Sequence, residues 1–429
     1  MHARTFLYRL EKENPMSHPH DVLVVGAGIG GLTLALQLHE AGIACRLIEA
    51  VPRLEPLGVG INVLPHASRE LHRLGLGPAL ARVAVMTREA VFYNRFGQLI
   101  YTEPIGEAAG YDVPQYSIHR GDLQVLLVEA VRDRLGVDAI ALAHRLIAFD
   151  QDERGVTATV ENRSGRHRIR AGVLIGCDGV HSTVRAQLHP DEDGVRYSGY
   201  TMWRGVTEWP RFLSGASMVR AGWLTTGKMV IYPIRDNVDG AGTQLVNWVA
   251  ELDVPQRGDR DWTLNGSVQD VIGPFENWHF DWLDVPALMR GAEQVLEYPM
   301  VDQEPLRRWS FGRVTLLGDA AHPMVPRGSN GAGQAIVDTR ALTDRLRATG
   351  DPVSALAAYE AQRREATARV VRINRTNPPD AILREVYERT GDQPFNRIED
   401  VISVAELEGV LGRYRTVAGY SKEALRSTT

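Results

Sequence analysis

Cysteine is nearly absent: Cys45 and Cys177 are the only two among 429 residues. Two thiols build neither a disulfide framework nor a cysteine-rich zinc site, which points to a reducing, cytoplasmic setting. No charge of one sign prevails. Lys+Arg total 48 against 53 Asp+Glu, a formal charge of −5, so the basic field that nucleic acid demands of its main partner is missing. Long apolar runs are missing too. Val22 to Leu38 is the one uncharged stretch that approaches a span, but it is short of the roughly 20 residues required and glycines crowd its middle. No membrane span is expected. The polar stretch with Arg4, Arg9, Glu11, Lys12 and Glu13 does not read as a secretory leader. Residues 1–20 are expected to form a loose extension, and Pro15-Met16-Ser17 is compatible with an alternative start. The histidines show no metal-ligand spacing, and no G-x-S-x-G or Cys–His pairing suggests covalent catalysis.

What is present is an ordinary globular composition, 44% hydrophobic and 24% charged, in a chain long enough for two or three domains. Val22-Leu-Val-Val25 is a short apolar run of the kind that forms a buried parallel strand. It leads directly into Gly26-Ala-Gly28-Ile29-Gly30-Gly31 and an apolar helix from Leu32. In this G-x-G-x-x-G, Gly26 permits the tight turn, Gly28 lets backbone approach a pyrophosphate, and Gly31 permits close helix–strand packing. A second strand, Ala44 to Ile48, ends in Glu49-Ala50, placing a carboxylate where an adenosine ribose is bound. This order of strand, glycines, helix, strand and acid specifies a dinucleotide cradle, without distinguishing NAD from FAD.

Two later segments make that distinction. Val173 to Gly176 is an apolar strand leading to Asp178-Gly179 and a helix start. Val314 to Leu317 repeats the pattern, followed by Gly318-Asp319 and Pro323. Asp319 then sits where open α/β sheets bind ligands. The stretch Gly331-Ala332-Gly333-Gln334 opens a second glycine-rich helix, whose N–H groups and positive end suit the negative charge of a reduced flavin.

With these three motifs in this order, the sequence resembles the class A flavoprotein monooxygenases, the FAD-dependent aromatic hydroxylases, over roughly residues 20 to 375. Phrases such as Pro114-Gln-Tyr-Ser-Ile-His-Arg120 and Thr201-Met-Trp-Arg-Gly-Val-Thr207 resemble the subfamily that hydroxylates 5-methylphenazine-1-carboxylate. The wording Pro326 to Gln334 departs from the wider family, although a glycine-rich helix entry survives.

The resemblance implies one FAD and transient NADH or NADPH. It implies Asp319 on the ribityl hydroxyls and Asp178-Gly179 serving both FAD and nicotinamide. Arg120, with Gln124 one turn on, would contact FAD, while Arg53 and Val59-Gly60-Ile61 would approach the adenylate and the ring. The implied reaction is hydroxylation of an aromatic or heteroaromatic small molecule, with a carboxylated, phenazine-like ring as one form. It would consume NAD(P)H and O2 and pass through a flavin C4a-hydroperoxide, in a flavin that swings between exposed and buried positions. A reductase, a halogenase, a Baeyer–Villiger-type oxygenase and a flavin-binding protein without turnover stand as alternatives.

The fold class expected is α/β with an α+β substrate domain: a glutathione-reductase-type Rossmann FAD domain over 21–190 and 301–350, an inserted antiparallel sheet over 191–300, and a helical region over 351–429. The insert holds seven tryptophans: Trp203, Trp209, Trp223, Trp248, Trp262, Trp278 and Trp282. Any single one is more simply read as sheet core, while one of Trp203, Tyr232 or Trp248 is expected to face substrate. Arg204 is a candidate anchor for a substrate carboxylate, against the commoner ion-paired arginine. Pro323 is expected beside the ring. The 355–375 stretch reads as a helix that covers the sheet or mediates a dimer, in a monomer or homodimer.

Overall fold

The computed structural model describes residues 22–55, 58–254 and 265–426. The expected extension over 1–20, and Trp262, lie outside the described residues. Val22–Val25 forms the centre of a five-stranded sheet and is buried at all four positions. Across that sheet the order is 314–316, 173–176, 22–25, 45–48, 140–141, and every neighbouring pair is parallel. Such a sheet is enclosed on both faces, which is why its strands are continuous apolar runs. Helices Ile29–Glu40, Arg120–Leu135 and Gly331–Ala348 share its core. A three-stranded antiparallel sheet over 145–171 supplies Leu146, Phe149, Val156 and Val160 to that core as well. The carboxyl ends of the four longer parallel strands therefore converge, and the Gly26, Glu49, Asp178 and Asp319 motifs all lie at that one edge.

The second body is an eight-stranded sheet built on Arg196–Trp209, Ser217–Trp223, Gly227–Arg235, Gln244–Asp253 and Val295–Asp302. It is wider than the 191–300 insert. Strands Glu89–Tyr93 and Leu99–Pro104 come from the first half of the chain, and Glu89–Tyr93 pairs parallel with Ser217–Trp223. Alternation divides the sheet's residues between two faces. Trp203, Val219, Met229, Ile231, Val246 and Trp248 join an outer core closed by Phe275, Trp278 and Leu288. Met202, Arg204, Val230, Tyr232, Asn247 and Val249 take the opposite, inner face, which meets the cofactor half.

The charged C-terminal stretch is a 25-residue helix, Pro352–Thr376, started by Asp351, whose carboxylate accepts the Val353 and Ser354 N–H groups. It packs on the cofactor half: Tyr359 donates to the Leu316 carbonyl at 3.1 Å. Beyond it, Ile382, Leu383, Leu407 and Leu411 cover Phe92 and Ile100. Among the described residues, no helix is long and apolar enough to cross a membrane.

Candidate active site

Sterics explain the first glycine turn. Gly26 has φ +102°, and a Cβ there would lie 2.5 Å from the Cys177 carbonyl oxygen. A Cβ on Gly31 would lie 2.0 Å from the Gly26 oxygen, and one on Gly30 would meet Leu317 at 3.1 Å. These three positions are closed by protein. Gly28 is different: a Cβ there meets nothing within 4 Å. It caps a helix that has no side-chain cap and no acid in its first turn, so no side chain takes up that turn's N–H groups. Ile29 itself is buried, so it offers only its backbone.

Glu49 is fixed before any ligand arrives. Its carboxylate accepts the Ala27 N–H at 2.8 Å and the Val51 N–H at 3.0 Å, tying the second strand to the glycine turn. Ala50 follows at the strand's end and Arg53 is exposed just beyond it. Gln124 braces the same turn by donating to the Ala27 carbonyl at 3.0 Å.

Asp319 lies across the cleft. Gly318, at φ +63°, turns the chain so that the Asp319 side chain is accessible, 3.7 Å from where a Cβ of Gly331 would stand. Among the described residues nothing donates a hydrogen bond to it. The surrounding protein pushes its carboxyl up, partly offset by His322 and Arg120. The helix beginning at Gly331 also lacks a side-chain cap, so two uncapped helix N-termini and one unpartnered carboxylate face the same edge. That donor set fits a dinucleotide's phosphates at one helix and a flavin's polyol and ring at the other.

Asp178 is bonded within its own segment. Its carboxylate accepts the Ser182 hydroxyl at 2.5 Å and the Thr183 and Val184 N–H groups at 2.8 and 3.2 Å, so it caps the helix Thr183–Leu188. Gly179, with φ +77° and open space at its Cβ position, remains on the cleft side. Gln334 also turns inward. Its amide donates to the Ala418 carbonyl at 2.9 Å and accepts from Arg363 at 2.6 Å, which leaves no side-chain group for a cofactor. Gly333 packs against His66, where a Cβ would lie 3.0 Å from the ring nitrogen. Only Gly331 and Ala332 of that motif keep half-exposed backbone.

Sequence reading missed Asp338. Fully buried on the same helix, it accepts from His322 at 2.6 Å, Arg363 at 2.7 Å and the Gly318 N–H at 3.3 Å, and so holds the turn that presents Asp319. Burial pushes its carboxyl up, but His322 and Arg363 outweigh that and hold it below the ordinary carboxylate range. The one available signal was an acid spaced three residues from both Ala335 and Ala341 on the helix's buried side.

The inner sheet face is joined to the cofactor loop through Gly60. Its N–H donates to Asn247 at 2.8 Å, and its carbonyl accepts from Tyr232 at 2.9 Å and from Arg204. A Cβ here would lie 2.7 Å from Ile234. Both polar groups of Gly60 are thus used within the protein, between buried Val59, whose carbonyl accepts the Arg120 N–H at 3.0 Å, and half-buried Ile61. Burial raises the Tyr232 hydroxyl's pKa, so it stays protonated as the donor. The Nε of Arg204 is buried without a hydrogen-bond partner. Of the pocket candidates, Tyr232 and Arg204 therefore lie on this face. Trp203 and Trp248 do not: both point into the outer core, where Trp203 donates to Glu297 at 3.2 Å and Trp248 to Thr207 at 3.3 Å. Strand alternation gives odd-numbered Trp203 the face opposite Arg204. Pro323 is buried, its carbonyl accepting the Gln303 N–H at 3.4 Å, at the base of the 324–330 loop.

Five charges also collect beside this face. Lys228 pairs with Glu251 at 2.7 Å and with Asp380, Arg220 pairs with Asp380 at 2.9 Å, and Arg327 stands 3.7 Å from Glu251.

Residues 19–234 and 290–374 match the model of the FAD binding domain family. The chain belongs to that family. It is an FAD-dependent aromatic monooxygenase of class A, using NAD(P)H and O2. It is 42% identical over 408 residues to phenazine 1,6-dicarboxylic acid hydroxylase PhzS of Lysobacter antibioticus, covering 94% of this chain and 98% of the relative. It is 32% identical over 373 residues to 3-hydroxybenzoate 6-hydroxylase of Polaromonas naphthalenivorans (strain CJ2), covering 84% and 87%. The fold is also that of a salicylate hydroxylase substrate complex, at TM-score 0.72 and 23% identity over 95% of this chain and 97% of that one. Klebsiella pneumoniae HpxO complexed with FAD and uric acid superposes at TM-score 0.69, 24% identical, with 95% of each chain covered.

Proposed function

We propose that this monooxygenase hydroxylates a flat, carboxylated heteroaromatic ring of the phenazine type, bound between the inner sheet face and the 323–331 segment. The observation that carries this reading is the shared Gly60 carbonyl: Tyr232 and Arg204 reach the cofactor loop from the same face that carries Met202 and Val230. The Nε of Arg204, buried without a hydrogen-bond partner, suits a ring carboxylate, because a guanidinium matches that group in a plane. The phenazine relative, and the benzoate relative beside it, favour an aromatic acid.

In this reading FAD lies on the uncapped helix starts at Ile29 and Gly331, with Glu49, Arg53 and Arg120 toward the adenylate side and Asp319 on the polyol. Bound FAD supplies acceptance of hydride from NADH or NADPH and activation of O2. Tyr232 and Arg204 hold the loop beside the ring and orient substrate. Met202, Val249, Met300 and Val325 exclude water from the reacting carbon. Residues 21–190 and 301–350 form the cofactor half, 191–300 most of the substrate half, and 351–429 a helical cover. The enzyme would act in the cytoplasm as a monomer or homodimer.

The test is to supply phenazine-1-carboxylate, phenazine-1,6-dicarboxylate and 3-hydroxybenzoate with either nicotinamide and O2. Ring-dependent nicotinamide oxidation, with a product one oxygen heavier or a decarboxylated phenol, is expected. A halogenated or ring-expanded product, or no ring dependence, would overturn the reading.

A further inference from the structure

The five buried charges do not balance. Arg220, Lys228 and Arg327 face Glu251 and Asp380, so three cations meet two carboxylates, all with side chains no more than 9% exposed. Asp380 is taken by Arg220 and Lys228, and Glu251 by Lys228. One cation is in excess, and Arg327 has the longest contact of the three, 3.7 Å to a Glu251 oxygen that is itself without a hydrogen-bond partner. The Nε and Nη2 of Arg327 are buried without a hydrogen-bond partner, and 3.7 Å to Glu251 is too long for a hydrogen bond. A buried, unsatisfied guanidinium is costly unless something anionic completes it.

We propose that Arg327 is a specificity-determining residue that receives a carboxylate of the substrate ring, at the opposite end of the pocket from Arg204. This rests on the reading of the site given above. The Arg327 guanidinium lies 4.3 Å over the Tyr200 ring, which holds it beside the inner sheet face with two nitrogens still unpartnered. Tyr200 and Arg204 are four residues apart on one strand, about 13 Å at 3.3 Å per residue, and therefore share a face. Met202 stands between them, with Val230 and Val249 on neighbouring strands. An apolar floor with a guanidinium at each end suits a fused three-ring aromatic bearing carboxylates at opposite ends.

The test compares dissociation constants of phenazine, phenazine-1-carboxylate and phenazine-1,6-dicarboxylate for the FAD-loaded enzyme, read by perturbation of the flavin absorbance. Wild type should prefer dicarboxylate over monocarboxylate over phenazine. R327M should lose about tenfold for the dicarboxylate, leaving phenazine within about twofold. E251Q, which removes the competing anion, should tighten the dicarboxylate several-fold. An equal loss for all three rings in R327M, or no loss, overturns the proposal. If R327M does not hold FAD, a wild-type enzyme indifferent to the second carboxylate and unmoved by E251Q overturns it. Binding of no ring to wild type takes down the functional reading and this proposal together, whereas ring binding without a second-carboxylate preference removes this proposal alone.

Discussion

The Tyr232 hydroxyl donates to the Gly60 carbonyl at 2.9 Å, a bond between residues 172 positions apart that joins the substrate sheet to the cofactor loop. Removing it should act on the loop rather than on the fold. Tyr232→Phe is expected to melt within a few degrees of wild type, since one hydrogen bond contributes about 1 kcal/mol. Product per nicotinamide consumed should fall and released hydrogen peroxide rise, both measurable in one assay.

Asp319→Asn tests the unpartnered carboxylate. Its raised pKa means that the ionised form lowers the stability of the cofactor-free protein above that pKa and is relieved as pH falls through it. The FAD-free variant should therefore melt no lower than wild type at neutral pH while binding FAD at least tenfold more weakly. Flavin content after gel filtration and thermal melts of the stripped proteins check both halves.

Asp338→Asn should do the reverse. It leaves Arg363 and His322 buried without their anion, costing about 3 kcal/mol. With its folded pKa below the unfolded value near 3.9, Asp338 contributes stability above pH 4 that is lost as pH falls through the folded value. Acid unfolding followed by circular dichroism should show that loss in wild type and a smaller one in the variant.

Gly26→Ala and Gly28→Ala separate folding from binding within one motif. At Gly26 the added methyl meets the Cys177 oxygen at 2.5 Å in a left-handed backbone, so a loss of about 2 kcal/mol or more and poor yield of folded protein are expected. At Gly28 the methyl enters open space, so melting should barely change while FAD affinity drops. Equal behaviour of the two would contradict the cradle.

Trp248→Ala should be a stability variant. It empties a fully buried site in the outer core, a cost of about 3 kcal/mol, with the KM for the ring unchanged at permissive temperature.

The parallel sheet and its motifs were legible because their signals are local: an apolar run, then glycine or acid, as at Val25-Gly26 and Leu317-Gly318-Asp319. Tryptophan-rich composition in the middle did not reveal which face each ring takes, since that depends on register set by neighbouring strands, and Trp203 and Trp248 face away. The scaffold hydrogen bonds of Asp178 and Gln334 were hidden for another reason. Each lies in a cofactor motif, yet each spends its side chain on its own scaffold. The Arg220–Lys228–Glu251–Arg327–Asp380 cluster had no signal at all, because its members come from separate strands and loops spread over 160 positions.

Strands Glu89–Tyr93 and Leu99–Pro104 leave the cofactor half to complete the edge of the eight-stranded sheet. The two bodies are thus sewn together by more than the crossings near 191 and 300. A chimera that grafts residues 191–300 from a relative would carry a foreign sheet onto resident edge strands, pairing Ser217–Trp223 with a partner it did not co-evolve with. Transplanting ring specificity between such enzymes should succeed by exchanging individual side chains on the inner face, and fail when the whole insert is moved as a cassette.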